Sequence, residues 1–293
     1  MPNIAIVWDF DGTLSPEDST TKVVEILDPE HSGAEFWKYV KSLRGDQKRP
    51  KWEHVLAMDA PIWMYALSRI ASKKRVPLNT EFFKLVKPHI SLYSNVPSFM
   101  RKLRLLQEQS LFKEVNLNVH FFIITAGLKH LVELLLPAGL ITWTFGCRYE
   151  VVVVEGQESE PESVPVFCMD ETTKTRSLFE ISKGAFQDES ISVNTRVPKE
   201  KLWAPFENIV YIGDGDTDVP ALSLVRSQGG LGIAVFNPAH SKATVDRRLN
   251  SMRLNKRADL ITPADFSESG ELFTYLTFRC KQIAYRYQAE LSR

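Results

Sequence analysis

The sequence predicts an α/β fold, a parallel sheet with crossover helices that is interrupted early by a mostly helical insertion. Short apolar, β-branched runs recur at residues 4–7, 119–124, 209–212 and 231–236. Each is followed by a Gly, Asn or Asp turn and then by apolar residues at helical spacing, which is the alternation of crossover units. Between the first two runs lie about 100 residues with almost no strand signal, too many for a simple connection.

In chain order, residues 4–7 form a continuous apolar run ending at Trp8-Asp9, which suits a buried parallel strand whose carboxyl end is Asp9. Residues 23–27, 35–43, 55–70, 82–90 and 96–106 carry apolar side chains at helical spacing, punctuated by Pro29, Gly45, Pro50, Pro77 and Pro88. This places a helical module over 18–94, inserted into a core of 1–17 and 95–293. After the second strand, β-like runs at 149–154 and 164–168 flank an acidic segment, residues 157–163, and read as a long-tipped hairpin over about 149–168. Residues 267–288 are helical in pattern, with Ser267 or Ser269 as N-cap and Glu271 in the first turn.

The 293 residues contain 36 Lys+Arg and 36 Asp+Glu, a formal net charge of zero. A broad electrostatic nucleic-acid binder needs a surplus of Lys and Arg, so no nucleic-acid partner is expected. Cys147, Cys168 and Cys280 have no C-x-x-C spacing, and the odd count argues for reduced thiols. The first residues show no basic leader, and the most apolar later stretch, 131–145, is broken by Glu133, Pro137 and Gly139. The expectation is a cytoplasmic protein with no membrane partner.

Asp9-Phe10-Asp11-Gly12-Thr13-Leu14 is the most informative segment. Two carboxylates two residues apart at a strand end can face one point only if the chain turns tightly, and Gly12 permits that turn. Close like charges are costly without a cation, and all-oxygen ligands suit Mg2+. A second acidic cluster, Gly213-Asp214-Gly215-Asp216-Thr217-Asp218, follows the run at 209–212 and brings carboxylates to the same edge of the sheet. Asp214 reads as a direct ligand, and Asp218 as the holder of a metal-bound water or of a neighbour. Between the clusters, Thr125-Ala126-Gly127 ends the run at 119–124, where a hydroxyl and backbone N–H groups form an anion site. A plain Thr N-cap is the other reading of that segment.

In this order the segments resemble the haloacid dehalogenase-like hydrolase superfamily: Asp9-Phe10-Asp11-Gly12-Thr13 its first motif, Thr125 its second, a lysine its third, Asp214 with Asp218 its fourth. The resemblance implies a Rossmann-like three-layer core, a helical cap between the first two motifs, Mg2+, and an aspartyl-phosphate intermediate. It implies Asp9 as nucleophile, Asp11 as acid and base, and Thr125, Ala126, Gly127 and a lysine around the phosphate. The metal would lie among Asp9, Asp11, Asp214 and Asp218. For the lysine, Lys183-Gly184 is similar to the Lys-Gly of phosphoserine-phosphatase-like members, which favours Lys183, with Lys174, near Arg176, as the alternative.

Asp11 disfavours carbon–halogen hydrolysis, because dehalogenase members lack that second acid. Asp18, nine residues after Asp9, is a weak hint of an amine-reading acid, while Gly12 stands where phosphoserine phosphatases usually have Ser. The cap aromatics Phe36, Trp37, Tyr39, Trp52, Trp63 and Tyr65 sit at helical spacing and read as packing. The expected activity is Mg2+-dependent hydrolysis of a small phosphorylated metabolite. A phosphotransferase or mutase, and a non-catalytic binding protein that keeps the fold, are the alternatives.

Overall fold

The computed structural model describes residues 3–43, 59–153, 161–241, 245 and 257–292. Within them, β1 (Asn3–Trp8), β2 (Asn118–Leu128), β3 (Trp143–Val152), β4 (Glu162–Phe167), β5 (Ile209–Gly213), β6 (Leu231–Phe236) and β7 (Leu260–Pro263) form one sheet. Its order is β4-β3-β2-β1-β5-β6-β7, with every neighbouring pair parallel except β3 and β4. All six residues of β1 are buried, as a central strand covered on both faces requires. Its carboxyl end lies between those of β2 and β5, so segments distant in sequence deliver their loops to one edge.

Among the described residues, six α-helices lie between β1 and β2: α1 (Ser19–Leu27), α2 (Gly33–Leu43), α3 (Asp59–Lys74), α4 (Thr80–Val86), α5 (Val96–Arg104) and α6 (Ser110–Glu114). The later α-helices with described bounds are α7 (Lys129–Leu135), α8 (Glu171–Lys183), α9 (Val219–Ser227) and α10 (Glu271–Leu291). The sheet register puts Trp8 beside Ile123 and Val7 beside Phe122, so Trp8 and Phe122 face opposite layers. On one side Trp8 meets Phe99 of α5 and Phe266, with Phe273 of α10 beyond. On the other, Phe122 meets Phe186 and Trp203. The result is a three-layer, Rossmann-like α/β core joined to a mostly helical region consistent with a cap.

The hairpin is tied to the inserted helices. Tyr149 donates its phenol hydrogen to the Met64 carbonyl on α3. The Ser163 carbonyl accepts from the Ser68 hydroxyl, and the Ser163 Oγ accepts the Leu78 N–H at 2.8 Å.

Several boundaries differ from the sequence-based expectation. β2 runs on through Thr125-Ala126-Gly127 to Leu128, with an irregular register against β3 beyond Ile124. β3 starts at Trp143 because its first half pairs with β2 and only its second half with β4. The four-residue β7 was not expected. Ser267 and Ser269 do not cap the last helix: Asp265 takes both the N–H and the O–H of Ser267, and Gly270 becomes the N-cap. Trp52, residues 55–58 of an expected helix and 154–160 of the expected hairpin lie outside the described residues. Among those described, no helix is long and apolar enough to cross a membrane.

Candidate active site

The first aspartates stand where β1 leaves the sheet. Asp9 still donates its N–H to the Ile212 carbonyl of β5 at 2.8 Å. The chain then folds sharply, and the Phe10 carbonyl accepts from the N–H groups of Thr13, Leu14 and Ser15 at 3.1, 2.8 and 3.0 Å. Gly12 makes this possible with φ +78°, and a Cβ there would overlap the Asp214 carboxylate. Asp9 is 5% exposed. The Asp11 carboxylate turns toward α1, accepting the Ser19 N–H at 2.8 Å and the Ser19 hydroxyl at 3.0 Å.

The second cluster is organised by Asp218, which is fully buried. One of its oxygens accepts from the Lys174 ammonium and the Tyr211 hydroxyl, each at 2.7 Å. The other accepts the N–H groups of Asp214 and Gly215 at 3.1 and 3.2 Å. Gly213 leaves room for this, since a Cβ there would overlap the Asp218 side chain. With four donors on two oxygens, Asp218 fixes the loop that carries Asp214.

Carboxylate oxygens of Asp9, Asp214 and Asp218 lie within 4.8 Å of one another. Burial and the Asp218 carboxylate push Asp9 up to about 7, against the downward pull of Lys174. Loss of water, chiefly, and the charges of Asp18 and Asp9 hold Asp11 well above the usual carboxylate range, against the Ser19 hydrogen bonds. Burial opposes the Lys174 charge, but Asp218 and Asp9 together outweigh it and keep the ammonium protonated. A divalent cation would relieve this carboxylate crowding, and the all-oxygen donor set suits Mg2+. The residues therefore fit such an ion. The Asp11 carboxylate, expected among the metal ligands, is held toward α1 by Ser19 and lies outside this cluster of oxygens.

The lysine assignment also changes. Lys174, 1% exposed, bridges Asp9 at 2.9 Å and Asp218 at 2.7 Å. It lies in the first turns of α8, where Asp170 caps the helix by accepting the N–H groups of Thr172 and Thr173 at 2.9 and 2.7 Å. Lys183 ends the same helix, about 13 Å further along its axis. Its ammonium donates to the carbonyls of Val193 and Thr195. The structure brings Lys174, and not Lys183, to the aspartates.

Thr125 is buried, and its Oγ accepts the Gly127 N–H at 2.9 Å. Because β2 continues to Leu128, the residue that precedes α7, Thr125 is no helix cap and the Gly127 N–H is already used. A cavity of about 160 Å³ opens beside these groups, lined by Asp9, Asp11, Thr125, Ala126, Gly127, Lys174 and Asp214. Its remaining wall includes Asp18, Thr217, and Trp37 and Trp63 of the inserted helices. Helical spacing read the two tryptophans as packing. Ser19 and Tyr211 carried no sequence signal, being an ordinary helix start and an apolar strand position.

No family model matches this chain. It is 24% identical, over 298 residues, to an uncharacterized protein of Borreliella burgdorferi, across 93% of this chain and 95% of that one. Among solved structures, a probable phosphoserine phosphatase from Vibrio cholerae, in unliganded form, superposes with a TM-score of 0.51 at 16% identity, covering 98% of this chain and 67% of that one. A substrate-bound phosphoserine phosphatase complex gives a TM-score of 0.48 at 17% identity, covering 95% and 99%. The fold is that of the haloacid dehalogenase-like hydrolases. At these identities the similarity describes the fold alone.

Proposed function

We propose that the protein is a Mg2+-dependent phosphatase that hydrolyses a small phosphomonoester through an aspartyl phosphate on Asp9. The observation that carries the reading is the Lys174 ammonium held between Asp9 and Asp218, with Asp214 alongside, at the floor of a cavity bordered by Asp11 and Thr125. Asp9 and Asp214 would hold the metal, which when bound offsets the charge of the carboxylates and the phosphoryl oxygens. An Asp9 oxygen attacks phosphorus as the ester P–O bond breaks, and Asp11 delivers a proton to the departing alkoxide. Asp11 then takes a proton from water as that water attacks the aspartyl phosphate, which releases inorganic phosphate and restores Asp9. Lys174 neutralises charge on Asp9 and the phosphoryl group, and Thr125 offers its hydroxyl to a phosphoryl oxygen.

Asp9→Asn should abolish Mg2+-dependent release of phosphate from an aryl phosphate while the circular dichroism spectrum stays native. Substantial turnover by that variant would exclude a covalent route through Asp9. A phosphotransferase would instead need a second alcohol for turnover, and stoichiometric phosphate release in water alone separates the two.

A further inference from the structure

β5 carries a polar group to which the chemistry above gives no part. Its run Ile209-Val210-Tyr211-Ile212 is apolar apart from the Tyr211 hydroxyl, and all four residues are fully buried. Tyr211 stands beside Val7 of β1 and Gly232 of β6, on the face of the sheet that Phe122 shares. Taking a phenol out of water is costly unless its hydroxyl is bonded. Here the hydroxyl meets an Asp218 oxygen at 2.7 Å, and because a carboxylate oxygen can only accept, the hydroxyl donates. Close packing inside the sheet holds the ring, and so the donor, in one place.

The place matters because the same oxygen also takes the Lys174 ammonium. Asp218 divides its work between its two oxygens. Oδ2 accepts the N–H groups of Asp214 and Gly215, which fixes the Asp214 loop. Oδ1 accepts Lys174 and Tyr211, each at 2.7 Å. The three N–H groups of Lys174 go to Asp218, to Asp9 at 2.9 Å and to the Thr217 hydroxyl at 3.4 Å. The ammonium thus stands between two carboxylates that compete for its charge, in an interior where charges are weakly screened. Each donor that Oδ1 receives from elsewhere weakens the claim of Asp218 on Lys174. Without the Tyr211 hydroxyl, Oδ1 would turn to the ammonium alone and draw it from Asp9 and from the phosphoryl group that Asp9 receives.

We infer that Tyr211 is a positioning residue of the phosphoryl-transfer site: its hydroxyl, by occupying Asp218 Oδ1, keeps the Lys174 ammonium shared with Asp9. This rests on the phosphatase reading above. The test is steady-state turnover of p-nitrophenyl phosphate by the full chain with Mg2+, for the wild type, Tyr211→Phe, Lys174→Met and the double variant. Phenylalanine keeps the ring and its packing and removes only the hydroxyl. Tyr211→Phe should lower kcat about tenfold, the scale of one hydrogen bond to a charged group. KM and the apparent Mg2+ affinity should stay within about twofold, because Oδ2 and the Asp214 loop keep their bonds. In the Lys174→Met background the same substitution should change kcat by less than about twofold, since a residue that acts through the ammonium has nothing left to act on.

A general loosening of β5 would instead lower Mg2+ affinity along with kcat and would cost as much in both backgrounds. Either of those results, or an unchanged kcat in Tyr211→Phe, would overturn the inference while wild-type turnover leaves the phosphatase reading standing. The comparison of kcat with Mg2+ affinity needs only the Tyr211 variant, so it decides the matter even if the Lys174 variants are too slow to measure. No turnover by the wild type would overturn both readings.

Discussion

Replacing Lys174 by Met keeps most of the side-chain volume and removes only the charge. In the native protein that charge lies 2.9 Å from Asp9 and 2.7 Å from Asp218, with all three side chains almost completely buried. Its loss leaves two carboxylates facing each other without a counter-ion, and breaking a buried ion pair from one side costs about 3–5 kcal/mol. For a chain of 293 residues the entropy of unfolding converts this to a fall in Tm of about 5–8 °C. Measured by calorimetry in EDTA, that fall should exceed the one caused by Lys183→Met, which frees only two backbone carbonyls. In activity the contrast should be wider. Lys174→Met should lower kcat on p-nitrophenyl phosphate by about 10²–10³-fold, the effect of removing one preorganised electrostatic group, and Lys183→Met by a few-fold at most. A larger kcat loss in the Lys183 variant would refute the assignment of the lysine, and an unchanged Tm in the Lys174 variant would refute the buried bridge.

Three further outcomes follow from other parts of the molecule. Asp218→Asn cannot accept all four of its present hydrogen bonds, so the Asp214 loop should loosen and apparent Mg2+ affinity should fall about 10–100-fold in a metal titration of activity; unchanged affinity would deny Asp218 its positioning role. Gly12→Ala puts a Cβ into the Asp214 carboxylate and a non-glycine residue at positive φ, which should cost at least about 1–2 kcal/mol in urea unfolding as well as metal affinity. His120 stands against Trp203, between Asn3 and Thr142, and burial with the nearby Arg104 charge lowers its pKa to about 4. Below pH about 6.5 the unfolded chain takes up a proton that the folded one refuses, so stability should decline as pH falls from about 6.5 to 4, by no more than about 1 kcal/mol per pH unit at this half-buried site. His120→Gln should flatten that decline, and a slope that survives the substitution would assign it elsewhere.

What was legible in the sequence is the part fixed by local pattern. β1 and β5 are apolar runs that end in acidic turns, so both aspartate clusters and their shared edge of the sheet could be read directly. The lysine could not, because Lys174 and Lys183 lie on one helix and only the direction in which α8 crosses the sheet separates them. A resemblance carried by the pair Lys183-Gly184 pointed to the wrong end, where Gly184 closes the helix in the left-handed conformation. Trp37 and Trp63 were indistinguishable from packing residues, since a wall of a cavity and a wall of a core share the same helical spacing. The extension of β2 through Gly127 depended on β3 pairing along it, a partner about 20 residues away.

The ties between the hairpin and the inserted helices bear on how a substrate enters. Tyr149 and Ser163 belong by connectivity to the sheet, yet their hydrogen bonds run to Met64, Ser68 and Leu78. Any opening that lifts α3 away from the aspartates must either rupture those three bonds together or carry the end of the hairpin with it. The second course strains the edge of the sheet, where β4 has a neighbour on one side alone among the described residues. The position of the hairpin and that of α3 are therefore coupled, and a change that displaces one is felt by the other.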